Sequence, residues 1–330
     1  MNKGRHDKKT LWSLRIFSTL MLLSLFSPFI ANENPLFVRY RGSFFYPTLF
    51  SYSEQDFGGD TPLLVNFHEH EVQQKIEKEG WIMWPPIPYG PFSVDYTLQY
   101  SGPQSPSIAH WLGTDEQGRD LLARLLYALR FSLLFGLLVA IVSTVLGFFI
   151  GAIQGYRGGW TDLILQRIVE IWLSIPSFLV IIVFASFIPL TPSILFCLLV
   201  SIKWRTVVPM TRTLFLRART LPYVEAARMM GHSNLAIISR YILPNVIFLP
   251  LARLPFITLH AITVITTIDF FGFSVPQSVL TLGSILIQGK NHLYAPWIIW
   301  GGIGCVTLLM GVLVFLGEAL QKVFIFKSHA

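Results

Sequence analysis

LPYVEAARMMGHSNLAIISRYILPN, residues 221 to 245, decides how this 330-residue chain is read. It lies between two long apolar segments, yet it carries Glu225, Arg228 and Arg240, which are costly in hydrocarbon and belong in water or against a partner. Pro222 suits the first turn of a helix and Gly231 its end, so Tyr223 to Met230 is predicted as about two helical turns. Ser233 is placed to cap a second helix, and Leu243-Pro244-Asn245 closes the stretch. A short polar helix held between membrane spans reads as a docking element.

Working outward, 53% of the residues are apolar and 13% are charged, against about 25% charged in a soluble domain, so a bilayer is the expected solvent. Phe131 to Ile153 is a 23-residue run without a charge, enough to cross about 30 Å of hydrocarbon. Further spans are predicted at about 14 to 31, 168 to 188, 191 to 210, 248 to 268 and 296 to 317, giving an all-α polytopic protein with six transmembrane helices. Lys3, Arg5, Lys8, Lys9 and Arg15 precede the first span and place the N-terminus in the cytoplasm by the positive-inside rule. Threading from there puts Lys203, Arg205, Arg212, Arg217, Arg219, Arg228 and Arg240 in or beside one cytoplasmic loop, and the C-terminus inside as well. Residues 32 to 120 hold twelve acids against five bases, which puts the largest loop outside. The +7 net charge is therefore read as a topology signal, not as nucleic-acid binding.

Three divisions follow: 1–31, a basic cytoplasmic N-terminus and first transmembrane helix, taken as an uncleaved anchor; 32–128, a large irregular periplasmic insert; and 129–330, a five-helix core with the cytoplasmic loop 211–245. Prolines break the insert between Trp81, Trp84, Tyr89, Phe92, Tyr96 and Tyr100. Within it, Val72 to Glu79 is predicted as a short helix and Arg119 to Tyr127 as an amphipathic helix at the membrane face.

The Glu225-Ala226-Ala227 string with Gly231 resembles the coupling loop of ATP-binding-cassette (ABC) import permeases. His110-Trp111-Leu112-Gly113-Thr114-Asp115, Gly118-Arg119-Asp120 and Arg124 resemble the oligopeptide and dipeptide permeases of C type, as do Gly155-Tyr156, Gly158-Gly159 and Asp162. Tyr52-Ser53-Glu54, Asp56 to Gly59, Gly80-Trp81, Asp269-Phe270, Gln288 to Asn291 and Ala295-Pro296-Trp297 are similar to the Yej-type permeases, associated with uptake of peptides and of the peptide-nucleotide microcin C. The resemblance implies the type I ABC importer permease fold. It further implies a B-type permease as heterodimer partner, two ATP-binding subunits or a fused ATPase carrying ATP and Mg, and a periplasmic peptide-binding protein. ATPase coupling then falls to Glu225, Ala226, Ala227, Arg228, Met229, Met230, Gly231, Leu243 and Pro244, with the alanine pair permitting close approach to a groove of the ATPase. Tyr241 departs from the generic pattern, which has isoleucine there.

No catalytic residue or bound cofactor is expected in this chain. The only Gly-Lys pair, Gly289-Lys290, is followed by Asn291, so there is no phosphate-binding loop and no ATP site of its own. His68-Glu69-His70-Glu71 reads as a solvated charge run, because neighbouring residues point apart and no further ligands complete a metal site. Arg167 and Glu170 are spaced for an ion pair across one helical turn. Arg253, about 12 Å along a helix from Asn245, either snorkels to the cytoplasmic face or lines the pathway. Asp269 either gates the external end or bonds amides of the Phe271-Gly272-Phe273 turn. The alternative class, an ion-coupled secondary peptide transporter, calls for internal repeats and paired broken helices that the sequence does not display.

Overall fold

The computed structural model describes residues 3–59, 61–96, 102–273, 276 and 279–327; Tyr100 and the side chain of Lys327 lie outside them. In chain order the principal elements are α1 (Lys3–Leu25), β1 (Phe37–Tyr40), β2 (Ser43–Phe45), α2 (His70–Glu79), β3 (Gly80–Met83), α3 (Leu121–Arg157), α4 (Gly159–Ser174), α5 (Ser177–Phe187) and α6 (Pro192–Lys203). There follow α7 (Val208–Ala218), α8 (Pro222–Met229), α9 (Leu254–Phe270), α10 (Leu282–Asn291) and α11 (Pro296–Lys327).

Among the described residues four helical segments are long and apolar enough to cross a membrane: Leu121–Arg157, Pro192–Ala218, Phe248–Phe270 and Pro296–Val323. A fifth span is broken. Pro176 forces Ile175 into an extended conformation (φ −81°, ψ 121°), and α4 and α5 meet there at 69° instead of forming the straight span expected over 168 to 188. The first expected span, 14 to 31, is also divided: its apolar helix Leu11–Leu25 stops at Phe26, and a short helix, Ser27–Ile30, continues the run. Pro192–Ala218 tightens at Trp204–Thr206, a 3₁₀ turn ahead of Pro209, and extends eight residues beyond the expected end at 210.

Contacts divide the chain into two units, the larger built mainly from Ser132–Val279 with the chain ends, the smaller from Thr19–Phe131 and Leu280–Thr307. In the larger unit, glycines at every fourth position of α3 bring backbones together. A Cβ at Gly147 would meet the Trp204 carbonyl at 2.3 Å, at Gly151 the Val208 carbonyl at 2.8 Å, and at Gly155 the Arg212 carbonyl at 2.5 Å. This small-residue stripe locks α3 onto the segment from Trp204 to Phe215 at a separation no larger side chain allows.

The smaller unit corrects the expectation of an irregular insert. It contains an antiparallel sheet in the order β2-β1-β3, with Val38 opposite Ile82 and Tyr40 opposite Gly80. Alternation along β1 turns Val38 and Tyr40 onto a core with Val72 and Ile76 of α2 and with Phe57 and Phe67. A Cβ at Gly80 would lie 1.7 Å from the Arg39 carbonyl, so only glycine fits that turn from α2 into β3. The amphipathic helix expected over Arg119 to Tyr127 is replaced by the first turns of α3. Asp120 caps that helix by accepting from the Ala123 amide at 2.7 Å, and Arg124 is buried.

Candidate functional site

The loop quoted at the outset folds as α8 and a capped return. Leu221 is extended, Pro222 opens the helix, and Val224 and Ala227 are fully buried against Ala152, Phe215, Ile237 and Ile242. The opposite face carries Glu225, Ala226, Arg228, Met229 and Met230, all exposed, with Met229 at 89%. The alanine pair is thus split, Ala226 outward and Ala227 into the chain's own core, which corrects the idea that both approach a partner. Gly231 stops the helix at φ +80°: its amide donates to the Arg228 carbonyl at 3.1 Å and the His232 amide to the Ala227 carbonyl at 3.2 Å, a Schellman cap. Ser233 accepts from the Ala236 amide at 3.3 Å, and a π-helical segment, Ile237–Ile242, follows.

Two bonds brace this loop internally and one ties it to α3. The Asn245 amide donates to the Tyr241 carbonyl at 2.9 Å and to the Tyr223 hydroxyl at 3.4 Å, and the Tyr156 hydroxyl donates to Asn234 Oδ1 at 2.7 Å. Tyr241, the departure from the generic pattern, packs on the same core as Val224 and stands 5.7 Å from the His232 ring. Leu243 is half-buried and Pro244 exposed at the start of the next short helix. The surface of α8 is therefore a fixed helix face, not a loose loop.

The remaining candidates are dispersed. Arg253 is half-buried ahead of α9, with Nη1 3.9 Å from Met210 Sδ. Asp269 is buried in the last turn of α9, and its carbonyl accepts from the Gly272 amide at 2.9 Å. Arg167 and Glu170 pair at 2.7 Å on an exposed face. His68 packs against Trp84, ring centroids 4.8 Å apart, while His70 meets Gln74, so the four-residue run converges on nothing.

Sequence reasoning did not foresee the burial of two cations. Lys203 and Arg205, expected in or beside a cytoplasmic loop, are buried within the helical segment Pro192–Ala218. Arg205 Nη2 donates at 3.1 Å to the Ile175 carbonyl, which the break between α4 and α5 has freed, and Trp172 Nε1 donates to the Ser201 carbonyl at 2.9 Å beside it. Arg212, by contrast, grips Asp162 through both carboxylate oxygens, Nη2 to Oδ2 at 2.6 Å.

In the smaller unit the motif residues from His110 to Arg124 form one buried network. Asp115 accepts from Arg119 at 2.7 Å, from Arg124 at 3.1 Å, and from the Gln117 and Arg119 amides at 2.8 and 3.0 Å. His110 lies between Asp120 (2.8 Å) and Asp95 (3.2 Å). Burial works against its charge, but the two carboxylates outweigh it and raise its pKa above the usual histidine value. The Tyr89 ring packs on His110 at 4.4 Å, and burial, with Asp95 nearby, pushes its hydroxyl up to about 12. Trp297 Nε1 donates to the Thr114 carbonyl at 3.1 Å, closing the network against α11.

The sequence has counterparts among transport permeases. It is 42% identical to the inner membrane ABC transporter permease protein YejE of Escherichia coli (strain K12) over 320 residues, 97% of this chain and 94% of that one. It is 36% identical to the peptidoglycan transport system permease protein YejE of Agrobacterium fabrum over 342 residues, 96% of this chain and 90% of that one. Over 240 residues it is 31% identical to the oligopeptide transport system permease protein OppC of Mycobacterium bovis, 72% of this chain and 81% of that one. The family model for the binding-protein-dependent transport system inner membrane component matches residues 143–328, which include α8, its Schellman cap and the glycine stripe from Gly147. This multi-pass chain belongs to the family of binding-protein-dependent transport system inner membrane components.

Proposed function

We propose that the chain is the permease subunit of an ATP-driven importer of peptides or peptide-like compounds, in the bacterial inner membrane with both termini in the cytoplasm. It pairs with a B-type permease and receives cargo from a periplasmic peptide-binding protein. ATP and Mg are bound by partner ATP-binding subunits, and this chain performs no covalent chemistry. The observation that carries the reading is α8: Glu225, Ala226, Arg228, Met229 and Met230 face outward from a helix whose inner face, Val224 and Ala227, is fixed in the core. Methionines give adaptable apolar contact and the two charges give direction, as suits a helix seated in a groove. Because the inner face is packed against Ala152 and Phe215, a displacement of α8 is passed to the spans that carry them. Relatives named for oligopeptide and peptidoglycan transport support the cargo class.

Gly231→Val and Glu225→Lys test this. No atom lies within 4 Å of a Cβ at Gly231, so the valine costs only its backbone conformation, about 1 kcal/mol, and misdirects the cap. Glu225→Lys leaves the fold intact and reverses a contact charge. Both should reduce peptide accumulation and binding-protein-stimulated ATPase activity in proteoliposomes at equal permease content. Unaltered stimulation and transport in both variants would refute the assignment of α8 as the coupling helix.

A further inference from the structure

Lys203 sits eleven residues into the 27-residue helix Pro192–Ala218, about 17 Å from its start and about 22 Å from its end. It is 4% exposed. Its Nζ is 3.0 Å from His260 Nδ1 and 3.1 Å from Nε2. The imidazole is thus the ammonium's hydrogen-bond partner, a neutral acceptor where a carboxylate would be expected. None of the ion pairs among the described residues includes Lys203. Arg205, two residues on, keeps its charge but donates to the freed Ile175 carbonyl, a structural reason to be there. Lys203 has none. His260 stands ten residues before the end of α9 and is itself exposed, so its ring lies between the ammonium and a surface. A charge at this depth costs about 3 kcal/mol, and a lysine kept there without an acid is built for one that arrives.

We propose that Lys203, reached past His260, binds a carboxylate of the transported substrate inside the membrane-spanning core; this deepens the peptide-import reading and rests on it. Every peptide with a free C-terminus carries that group. The ammonium and the exposed imidazole together offer it two donors side by side. Release is straightforward, because one ammonium binds less firmly than a bidentate guanidinium.

The complete transporter in proteoliposomes, with saturating binding protein common to all arms, should take up trialanine in preference to trialanine amide, which lacks the carboxylate. The expected preference is about tenfold, the size of one charged hydrogen bond. It should fall to within about twofold in Lys203→Met and persist in Lys203→Arg. His260→Glu, which sets a fixed carboxylate beside the ammonium, should also abolish it without removing the lysine. No preference in the unaltered complex, or an unchanged preference in both Lys203→Met and His260→Glu, overturns the proposal. So does an unchanged preference in His260→Glu combined with a Lys203→Met chain that no longer holds its partner permease, which places the carboxylate on that subunit. An unaltered complex that accumulates neither peptide overturns the peptide reading itself, a result distinct from the others.

Discussion

Asp115 in the smaller unit is fully buried and ringed by two guanidinium groups and two backbone amides, whereas Lys203 in the larger unit is almost as deeply buried and meets only an imidazole. Both charges carry a heavy desolvation cost, but only the first is offset within the chain. A closed network holds a fold together, and its removal is felt as lost stability. An open one does nothing for the fold, so its reason must lie in what the protein meets. The Arg212–Asp162 pair shows that the larger unit can supply an acid where a cation is structural. Arg205, buried in the same unit, also lacks an acid but donates to the Ile175 carbonyl, whereas Lys203 has only the imidazole.

The largest expected effect breaks the closed side. Asp115→Asn keeps the size and one acceptor but strips the charge, leaving Arg124, 3% exposed, without its counter-ion. A loss of about 3–5 kcal/mol follows, read by thermal unfolding of the purified complex. A loss below about 1 kcal/mol would show that water already satisfies these groups and would erase the contrast.

Lys203→Met is expected to do the opposite. With no acid to orphan, replacing the ammonium by an apolar group of similar length should stabilise the complex by about 1–3 kcal/mol while impairing transport of carboxylate-bearing cargo. A destabilised variant in the same unfolding assay would mean that another subunit already holds Lys203, making the two clusters alike.

Much of this contrast was hidden in the sequence, for identifiable reasons. The spans and α8 were legible because uncharged runs such as Phe131 to Ile153, and a proline-to-glycine interval around Glu225, are local signals. The burial of Lys203 and Arg205 was not legible, because counting basic residues near the end of an apolar run cannot tell a loop from a helix that continues to Ala218. The spacing Gly147, Gly151, Gly155 stood in the sequence and would have indicated close packing of α3, on which that continuation depends. The sheet was invisible because its strands span three or four residues and β1 pairs with β3 across some forty residues, where no period is visible. The motif from His110 to Arg124 was recognisable, but neither its burial nor Asp120's role as the cap of α3 can be read from residue types alone.

The smallest expected effect sharpens the closed side by asking whether its histidine is one of its cations. His110 is flanked by Asp120 and Asp95, so a protonated imidazole there can donate to a carboxylate from each ring nitrogen. Its pKa is accordingly raised, burial opposing and the two carboxylates prevailing. A raised value in the folded state means that the charged histidine stabilises the fold fully below the ordinary value of about 6.5, and that this contribution disappears as pH climbs through the higher folded value. The smaller unit should therefore resist limited proteolysis better near about pH 6 than near about pH 9, with a modest difference because the histidine is one member of a larger network. His110→Gln keeps a donor but cannot take up a proton, so it should flatten that dependence while Asp115 and Arg124 stay paired. If the variant retains the full pH dependence, another group titrates there and His110 belongs among the neutral side chains of the unit. The cluster would then be closed by its arginines alone, and its contrast with Lys203 would rest on Asp115.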